Sequence, residues 1–178
     1  MRAYLPLFII TIGFALLSNL NSLAGADASG FFDDSFGDLQ EELAIARQEG
    51  KQGVMLFFET EDCPFCHRMK RDVFSRPEVQ KYFHQHFRLI PIDIEGDVEI
   101  TDFQGQPTTM KAFAAKHRVR ATPVMAFFDL DGKRVATYIG ATRDAREFLL
   151  LGEFVADGHY KTTNFVKFKR ARRRAQRG

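Results

Sequence analysis

The sequence predicts an α/β fold, and three observations lead to that prediction. Short continuous apolar runs, typical of buried strands, alternate with segments whose apolar residues recur at helical spacing. Two of these runs flank an Asp131-Gly132 turn, which predicts a β-hairpin. Both cysteines of the chain, Cys63 and Cys66, follow the first apolar run at the start of a helical pattern. A βαβ unit followed by a hairpin and a closing helix is an α/β arrangement.

Each predicted element follows from the period of its apolar residues and from the residues at its ends. In chain order we predict a helix over 33–50, a strand over 53–58, a helix from residue 64, a helix over 77–86, a strand over 87–94, a loop over 95–107, a helix over 108–117, a strand over 124–128, a strand over 133–140 and a helix over 143–156. Ser75 is the expected cap of the helix that starts at Pro77, and Thr108 or Thr109 caps the next helix. The loop contains four acids and looks like an insertion.

The spacing of the cysteines indicates redox chemistry. Two cysteines three positions apart are too few and too close for a disulfide framework, which leaves catalysis, cofactor attachment or part of a metal site. Cys63 would stand at a helix N-terminus, where unpaired N–H groups and the helix dipole stabilise a thiolate and lower the thiol pKa. Cys66 would follow one turn later, where a disulfide can form or open without movement of the backbone.

The N-terminus is predicted to be a cleavable export signal over residues 1–26. Arg2 precedes an apolar stretch over residues 5–17, and Ala24-Gly25-Ala26 is a small-residue cleavage site. An apolar core of about 13 residues is short for a bilayer-spanning helix, which needs roughly 20; an uncleaved anchor is the alternative. We therefore expect the mature protein to work outside the cytoplasm, in a bacterial periplasm, where thiol chemistry needs its own source or sink of electrons.

Charge divides the 178 residues into an acidic domain over 27–158 and a basic tail over 159–178. The last fourteen residues contain seven Lys or Arg and no acid, whereas residues 27–164 have 17 basic and 23 acidic residues. We interpret the tail as a solvated, partly frayed end, with docking to an acidic partner or an anionic membrane surface as the alternative. A nucleic-acid role fits poorly with export.

Three separated features make the chain resemble the thioredoxin-fold proteins. The strand VMLFF leads to CPFC, Thr122-Pro123 opens a second strand further along, and the turn DLDG precedes a C-terminal helix. The resemblance implies a central mixed β-sheet flanked by helices, with an N-terminal helix and an inserted acidic loop. It also implies that Pro123 is cis and lies against the active-site disulfide. Thr122 would then offer backbone groups to a bound substrate, and Pro64 and Phe65 would form the substrate-binding surface between the cysteines.

A closer resemblance extends over most of the mature chain. The stretches FFETEDCPFCHRMKRDVFSRPEV, PIDIEGDVEITDF, VRATPVMAFFDLDGKRV and HYKTTNFVKFKRAR are similar to exported thioredoxin-like proteins associated with bacterial sulfur-oxidation clusters. This resemblance implies a periplasmic dithiol reductase that acts on protein disulfides without a cofactor and receives electrons from a membrane transporter of the CcdA or DsbD type. Cys63 would attack the substrate disulfide as the nucleophile, and Cys66 would resolve the mixed disulfide.

The chain departs from the family at one position that matters for proton transfer. Cytoplasmic thioredoxins place a buried Asp six residues before the first cysteine, where it helps to deprotonate the second, and that position here is Phe57. Our candidate for the proton acceptor is Glu59, which lies among apolar neighbours at the end of the strand. Glu61, Asp62 or a water molecule are the alternatives.

Other interpretations of the cysteine pair stay open. The string continues into His67 as C-x-x-C-H, the attachment signature of a c-type haem. A closed zinc site needs four ligands, and His84 and His86 are two positions apart in a predicted helix, so they point to different faces. Within thiol chemistry, an oxidase or isomerase of folding proteins is the alternative to a reductase. A binding module with an inert structural disulfide is a third class.

Overall fold

The computed structural model describes residues 30–175, so the predicted export signal lies outside the described residues. The helices are α1 (Leu39–Gln48), α2 (Pro64–Met69), α3 (Pro77–His86), α4 (Met110–Lys116), α5 (Ala145–Ala156) and α6 (Phe165–Ala175). The strands are β1 (Gly53–Glu59), β2 (Phe87–Asp93), β3 (Glu99–Thr101), β4 (Pro107–Thr109), β5 (Val124–Asp129) and β6 (Arg134–Ile139). A π-helical turn (Lys70–Phe74) continues α2, and a 3₁₀-helical turn (His159–Lys161) follows α5.

Four strands form the central sheet in the order β2, β1, β5, β6. β1 is parallel to β2, with Glu59 opposite Asp93, whereas β5 is antiparallel to both β1 and β6. The sheet is therefore mixed, as the resemblance implied. β1 is central and buried on both faces, which explains its continuous apolar sequence. Gly53 begins β1 because a Cβ at this position would meet the carbonyl oxygen of Phe128 on β5.

Side chains along β1 alternate between two faces of the sheet, and each face has its own core. Met55 and Phe57 point to the face covered by α2, α3, α5 and α6. We call this the cysteine face, because its core includes Cys63 and Cys66. The intervening residues of β1 point to the opposite face, which is covered by α1, α4 and the β3–β4 hairpin. The architecture is the predicted α/β arrangement of a mixed sheet flanked by helices, with a helix at its N-terminal side.

Most predicted helices and strands are present, and their ends are set by caps. α1 begins at Leu39, six residues later than predicted, because the Asp38 carboxylate accepts two N–H groups of its first turn. Asp144 caps α5 in the same way, so that helix begins two residues later than predicted. The residues before Asp38 are irregular and are held by Asp33, whose carboxylate pairs with Arg88 at 3.0 Å.

The prediction that Ser75 caps α3 is wrong. Arg76 occupies the N-cap position without a capping side-chain hydrogen bond, and the Ser75 hydroxyl instead donates to the Arg71 carbonyl at 2.6 Å. Ser75 thus closes the π-helical turn that precedes α3. Pro77 still opens α3, as predicted for a residue that lacks an N–H group.

β3 lies in the predicted loop over 95–107 and pairs antiparallel with β4, which takes the first two residues of the helix predicted over 108–117, so that α4 begins at Met110. The turn between β3 and β4 is organised by Asp102, which accepts the N–H groups of Gln104 and Gln106 and pairs with Lys116 of α4 at 2.6 Å. Each strand has three residues, which is too short for alternation to be recognised in the sequence. Thr109, one of the two predicted caps, accepts an N–H group of α4.

The basic tail differs from our interpretation of it as a solvated end. Residues 165–175 form α6, which packs on α5 through Phe168, a residue only 7% exposed. The Phe168 ring lies 5.5 Å from that of Phe154 and 4.6 Å from that of His159. Burial of these rings explains why so strongly charged a segment is ordered against the domain. No helix within residues 30–175 is long and apolar enough to cross a bilayer.

Candidate active site at the start of α2

The turn from β1 into α2 places Cys63 at the N-cap of the helix, as predicted. The Cys63 carbonyl accepts the N–H groups of Cys66 and His67 at 3.1 Å, and the Cys63 sulfur accepts the Cys66 N–H at 3.1 Å. Pro64 occupies the first helical turn, where a missing N–H costs nothing. The local sequence therefore places the first cysteine sulfur at the N-terminal end of the helix, where it accepts the Cys66 N–H.

Cys63 and Cys66 are joined by a disulfide, with their Cα atoms 5.2 Å apart. Cys63 is 5% exposed, whereas Cys66 is 0% exposed and belongs to the core of the cysteine face. A thiol attacked or attacking from solvent must therefore be Cys63. The roles of nucleophile for Cys63 and resolving cysteine for Cys66 stay predictions.

The two residues between the cysteines form an exposed surface beside the sulfurs. Phe65 is 60% exposed, although large apolar side chains are usually buried, and Pro64 is also exposed. Their role as a substrate-binding surface stays a prediction.

Thr122-Pro123 lies at the same edge of the sheet as the cysteines. Its peptide bond is cis, as the resemblance implied. Val124, the next residue, pairs with Phe58 near the end of β1, directly before the turn that leads to Cys63. The Pro123 carbonyl accepts the Gly140 N–H at 2.8 Å. Within residues 30–175 the backbone N–H and carbonyl of Thr122 have no hydrogen-bond partner, which leaves them available to an extended substrate.

Glu59 ends β1 and, by alternation with Phe57, points to the cysteine face. Its carboxylate pairs with Lys70 of the π-helical turn at 2.6 Å, and the Lys70 backbone N–H donates to the Cys66 carbonyl. No hydrogen bond in the described part of the chain joins Glu59 to either sulfur. Phe57 is 0% exposed and its ring lies 5.0 Å from that of Phe74, so the usual position of the buried acid is apolar. The role of Glu59 as proton acceptor stays a prediction.

A shallow groove at the end of β1 contains two of the carboxylates considered for proton transfer, Glu59 and Glu61. Its volume is about 250 Å³, and it is lined by Glu59, Thr60, Glu61, His67, Lys70 and Asp93. Glu61 and Asp62 are exposed, in contrast to Glu59, whose side chain is 15% exposed. Glu59 is therefore better shielded from solvent than Glu61 and Asp62, and Asp93, its partner on β2, is half-buried in the same groove.

The structure shows where the histidines of the haem and zinc alternatives lie. His67 is exposed on α2, which follows a buried strand of a mixed sheet. His84 contacts the Gly30 carbonyl and His86 contacts the Gln52 side chain, each at 2.9 Å, so the two side chains have different neighbours. Among residues 30–175, no group of three or more His, Cys, Asp or Glu side chains could hold a metal ion.

Sequence reasoning missed a set of hydrogen bonds, which we call the brace, that joins α2 to Thr142 and Arg143 before α5. Arg68 of α2 donates to the Thr142 carbonyl at 2.9 Å and to the Arg143 carbonyl at 3.4 Å. The Thr142 hydroxyl donates to the Met69 sulfur at 3.4 Å, and Thr142 is completely buried. These partners are more than 70 residues apart in the chain, so no local pattern could have predicted them.

Comparisons with known proteins agree with this geometry. The sequence model of the thioredoxin-like domain matches residues 39–156. A search of curated proteins found no match. A thioredoxin-fold protein from Helicobacter pylori superposes with a TM-score of 0.62 at 23% identity, over 83% of this chain and 92% of its own. A putative disulphide-isomerase from Bacteroides thetaiotaomicron has a TM-score of 0.53 at 28% identity, over 69% of this chain and 89% of its own.

A thioredoxin from Thermus thermophilus has a TM-score of 0.51 at 26% identity, over 65% of this chain and 81% of its own. The fold, the cysteine spacing and the family match point to the same conclusion. The chain belongs to the thioredoxin-like domain family, whose fold is that of thiol–disulfide oxidoreductases.

Proposed function

We propose that the protein is an exported thiol–disulfide oxidoreductase that reduces protein disulfides in a bacterial periplasm. One observation carries the redox assignment: the more exposed cysteine of a disulfide caps α2, at the same sheet edge as cis Thr122-Pro123. The pattern of residues 1–26 supports export. The similarity of four separate stretches to the proteins of sulfur-oxidation clusters supports the reducing direction.

The proposed reaction has two exchange steps. The Cys63 thiolate attacks one sulfur of the substrate disulfide, a new S–S bond forms, and the second substrate sulfur leaves as a thiolate that takes a proton from water. Cys66 then gives its proton to an acceptor, for which Glu59 is our candidate, and attacks the Cys63 sulfur. The mixed disulfide breaks, and its substrate sulfur leaves as a thiolate that takes a proton from water. The substrate is then a dithiol, and the protein carries the new Cys63–Cys66 disulfide.

Renewed activity requires two electrons and two protons from a dithiol donor. We propose a membrane transporter of the CcdA or DsbD type as this donor, because an exported protein has no access to cytoplasmic reductants. The exposed Phe65 and the unpaired backbone of Thr122 would receive the donor's cysteine segment as they receive the substrate.

A disulfide oxidase or isomerase is the second candidate, and the similarity to the putative disulphide-isomerase from Bacteroides thetaiotaomicron favours it. The reduction potential separates the two. A value near that of thioredoxin, about −270 mV, supports a reductase, whereas a value near about −120 mV supports an oxidase. Equilibration of the purified protein with glutathione buffers measures it.

Matched serine variants test the proposed mechanism. Cys63→Ser should reduce insulin disulfides no faster than the uncatalysed reaction, because the nucleophile is lost. Cys66→Ser should instead accumulate a mixed disulfide through Cys63, because the resolving step is lost. Expression of Cys66→Ser in the native host, followed by non-reducing electrophoresis and mass spectrometry, identifies substrates and donor together. Full activity of the Cys63 variant would show that the mechanism is wrong.

A further inference from the structure

We propose that a cationic groove between α5 and α6 binds a phosphate-bearing anion. The groove has a volume of about 440 Å³, and its lining residues are Arg143, Arg146, Glu147, Leu150, Lys169, Arg172 and Arg173. We call it the α5–α6 groove. Cys63, Cys66, Phe65 and Thr122 are not among its lining residues, so the proposed redox function does not use it.

The helical period explains why the cations converge. Lys169, Arg172 and Arg173 are spaced three and four residues apart, so they share one face of α6. Arg146 and Leu150 share a face of α5 for the same reason. Because Phe168 fixes α6 against α5, the two faces enclose a concave volume with five cations and one carboxylate.

The carboxylate of the groove is already engaged with the protein. Glu147 has a side chain only 7% exposed; one of its oxygens accepts the Arg143 N–H at 3.0 Å, and the other pairs with Lys169. Its negative charge therefore holds the two helices together at the floor of the groove. Among the lining residues the positive charges remain in clear excess.

Several cationic donors remain for a ligand. Arg143 and Arg172 pair with Asp144 and Glu153, which do not line the groove, and a guanidinium has five N–H donors. Arg173 is exposed, and its side chain has no ion pair or hydrogen bond within residues 30–175. A ligand that bridges these groups would gain charge-assisted hydrogen bonds from both helices.

Phosphate groups fit this arrangement better than a single carboxylate or an acidic protein surface. The planar fork of Arg matches two phosphate oxygens at once, and several forks approach one volume here. The volume lies in the range of small-molecule sites, about 300–1,000 Å³, so it admits a compact ligand with more than one negative charge. Free phosphates and the headgroups of anionic phospholipids both carry this chemistry.

The test compares two double variants of the protein. Arg146→Ser/Arg173→Ser removes two exposed cations of the groove, and Lys167→Ser/Arg170→Ser removes two exposed cations of α6 outside it. Titration with inorganic pyrophosphate by calorimetry should show saturable binding to the unaltered protein. We expect the groove variant to bind about 10-fold or more weakly, because it loses charge-assisted hydrogen bonds to the ligand, and the control variant to change by less than about 3-fold.

A second arm identifies the source of the phosphate. Vesicles of phosphatidylcholine with and without phosphatidylglycerol are floated with each protein at low salt. The site is assigned to lipid headgroups if the protein binds phosphatidylglycerol vesicles, if pyrophosphate releases it from them, and if only the groove variant fails to bind them. Pyrophosphate binding without vesicle retention assigns it to soluble phosphates. Both outcomes support the proposal.

The proposal is overturned if the unaltered protein binds neither probe, or if both double variants weaken binding equally, which is the signature of diffuse charge. Insulin reduction by the groove variant is measured as well, so that failure of the groove proposal can be told apart from failure of the proposed redox function. Because both cysteines are retained, unchanged insulin reduction with lost pyrophosphate binding supports the groove. Lost reduction by Cys63→Ser tests only the redox mechanism.

Discussion

The two faces of the central sheet are both closed by apolar cores, but different residues build them. The cysteine face is dominated by aromatic rings, namely Phe31, Phe57, Phe74, Phe83, Phe87, Phe127, Phe148, Phe154 and Phe168. The opposite face is richer in aliphatic side chains, namely Leu39, Leu43, Val54, Leu56, Ile90, Ile92, Ile100 and Val124. The redox helix therefore packs on phenylalanine rings, and position 57 is occupied by one of these buried rings rather than by an acid.

Charged groups on both faces are confined to the margins. On the cysteine face, Glu59 pairs with Lys70 at the sheet edge, and Glu147 pairs with Lys169 under α6. On the opposite face, Asp102 pairs with Lys116 at the β3–β4 turn, and the buried Glu42 of α1 pairs at 2.8 Å with Arg88 of β2, an edge strand of the sheet. The comparison teaches that proton transfer to or from Cys66 must come from the edge of the sheet, because the core beneath it is apolar.

Truncation of one ring on each face gives the largest expected effect. Phe74→Ala removes a ring that stacks on Phe31 at 4.1 Å and lies 5.1 Å from Phe148, and Phe113→Ala removes a buried ring on the opposite face. Each should lower the free energy of unfolding by about 3–5 kcal/mol in urea titrations. Only Phe74→Ala should also change the reduction potential, because Phe74 belongs to the turn that continues α2. An equal change in Phe113→Ala would show that the faces are not functionally distinct.

The second largest effect is expected when the Glu59 carboxylate, at the sheet edge of the cysteine face, is removed. Glu59→Gln should slow the resolution of the mixed disulfide by about 10²-fold, the lower range for loss of a general base. Stopped-flow measurement of substrate thiol release at neutral pH tests this. Glu61→Gln is the matched control, since Glu61 is exposed in the same groove. If both variants resolve the disulfide at the original rate, the acceptor is neither carboxylate.

The buried acids of the two faces predict a shared loss of stability in acid. Burial raises the pKa of Glu147, but hydrogen bonds from Lys169 and the Arg143 N–H outweigh it and keep that pKa below its ordinary value. Burial also raises the pKa of Asp102, and hydrogen bonds from Lys116 and two N–H groups lower it further than burial raises it. Each acid therefore stabilises the fold above its unfolded pKa, about 4, and loses this contribution as pH falls through its lower folded pKa.

Glu147→Gln and Asp102→Asn should each cost about 1.5–3 kcal/mol at pH 7 and much less at pH 3. Urea titrations at both pH values measure the difference. Because the two acids lie on opposite faces, the costs should add in the double variant to within about 0.5 kcal/mol. If the stability costs of the two substitutions are far from additive, the sites of Glu147 and Asp102 are coupled through the sheet.

The smallest effect concerns the exposed ring at the active-site edge. Phe65→Ser should raise the KM for a protein disulfide substrate roughly threefold, which corresponds to less than about 1 kcal/mol of binding. Its stability should change by no more than about 0.5 kcal/mol, as for other exposed residues. Phe36→Ser is the control, because Phe36 is 100% exposed away from the cysteines in sequence. An unchanged KM in the Phe65 variant would remove that side chain from the substrate surface.

Long elements with a clear apolar period were predictable, whereas short ones and element ends were not. β1 and β5 have continuous apolar runs, and α3 and α5 have helical spacing, so all four were predicted close to their observed bounds. The starts of α1 and α5 depend on capping by Asp38 and Asp144, and each lies among several residues that could have served as a cap. α6 was missed because its dense charge concealed two apolar residues at helical spacing, Phe165 and Phe168.

In the candidate site, features encoded by local motifs were predictable and contacts between separate elements were not. Cys63, Cys66 and the cis bond before Pro123 follow from local motifs and a family resemblance, and the structure contains all three. The pairing of Glu59 with Lys70 and the brace from Arg68 to Thr142 depend on contacts between separate elements. The α5–α6 groove likewise requires knowing that α6 packs on α5, because its cations come from two helices.

The reactivity of the Cys63 sulfur tests the central claim most directly. The protein is fully reduced, and alkylation by iodoacetamide is followed at each cysteine by mass spectrometry between pH 5 and 9. We expect Cys63 to be alkylated much faster than the buried Cys66, with half-maximal rate at a pH below that of a free thiol, about 8.5. Equal rates for the two cysteines, or a Cys63 no more reactive at pH 7 than free cysteine, would contradict the account.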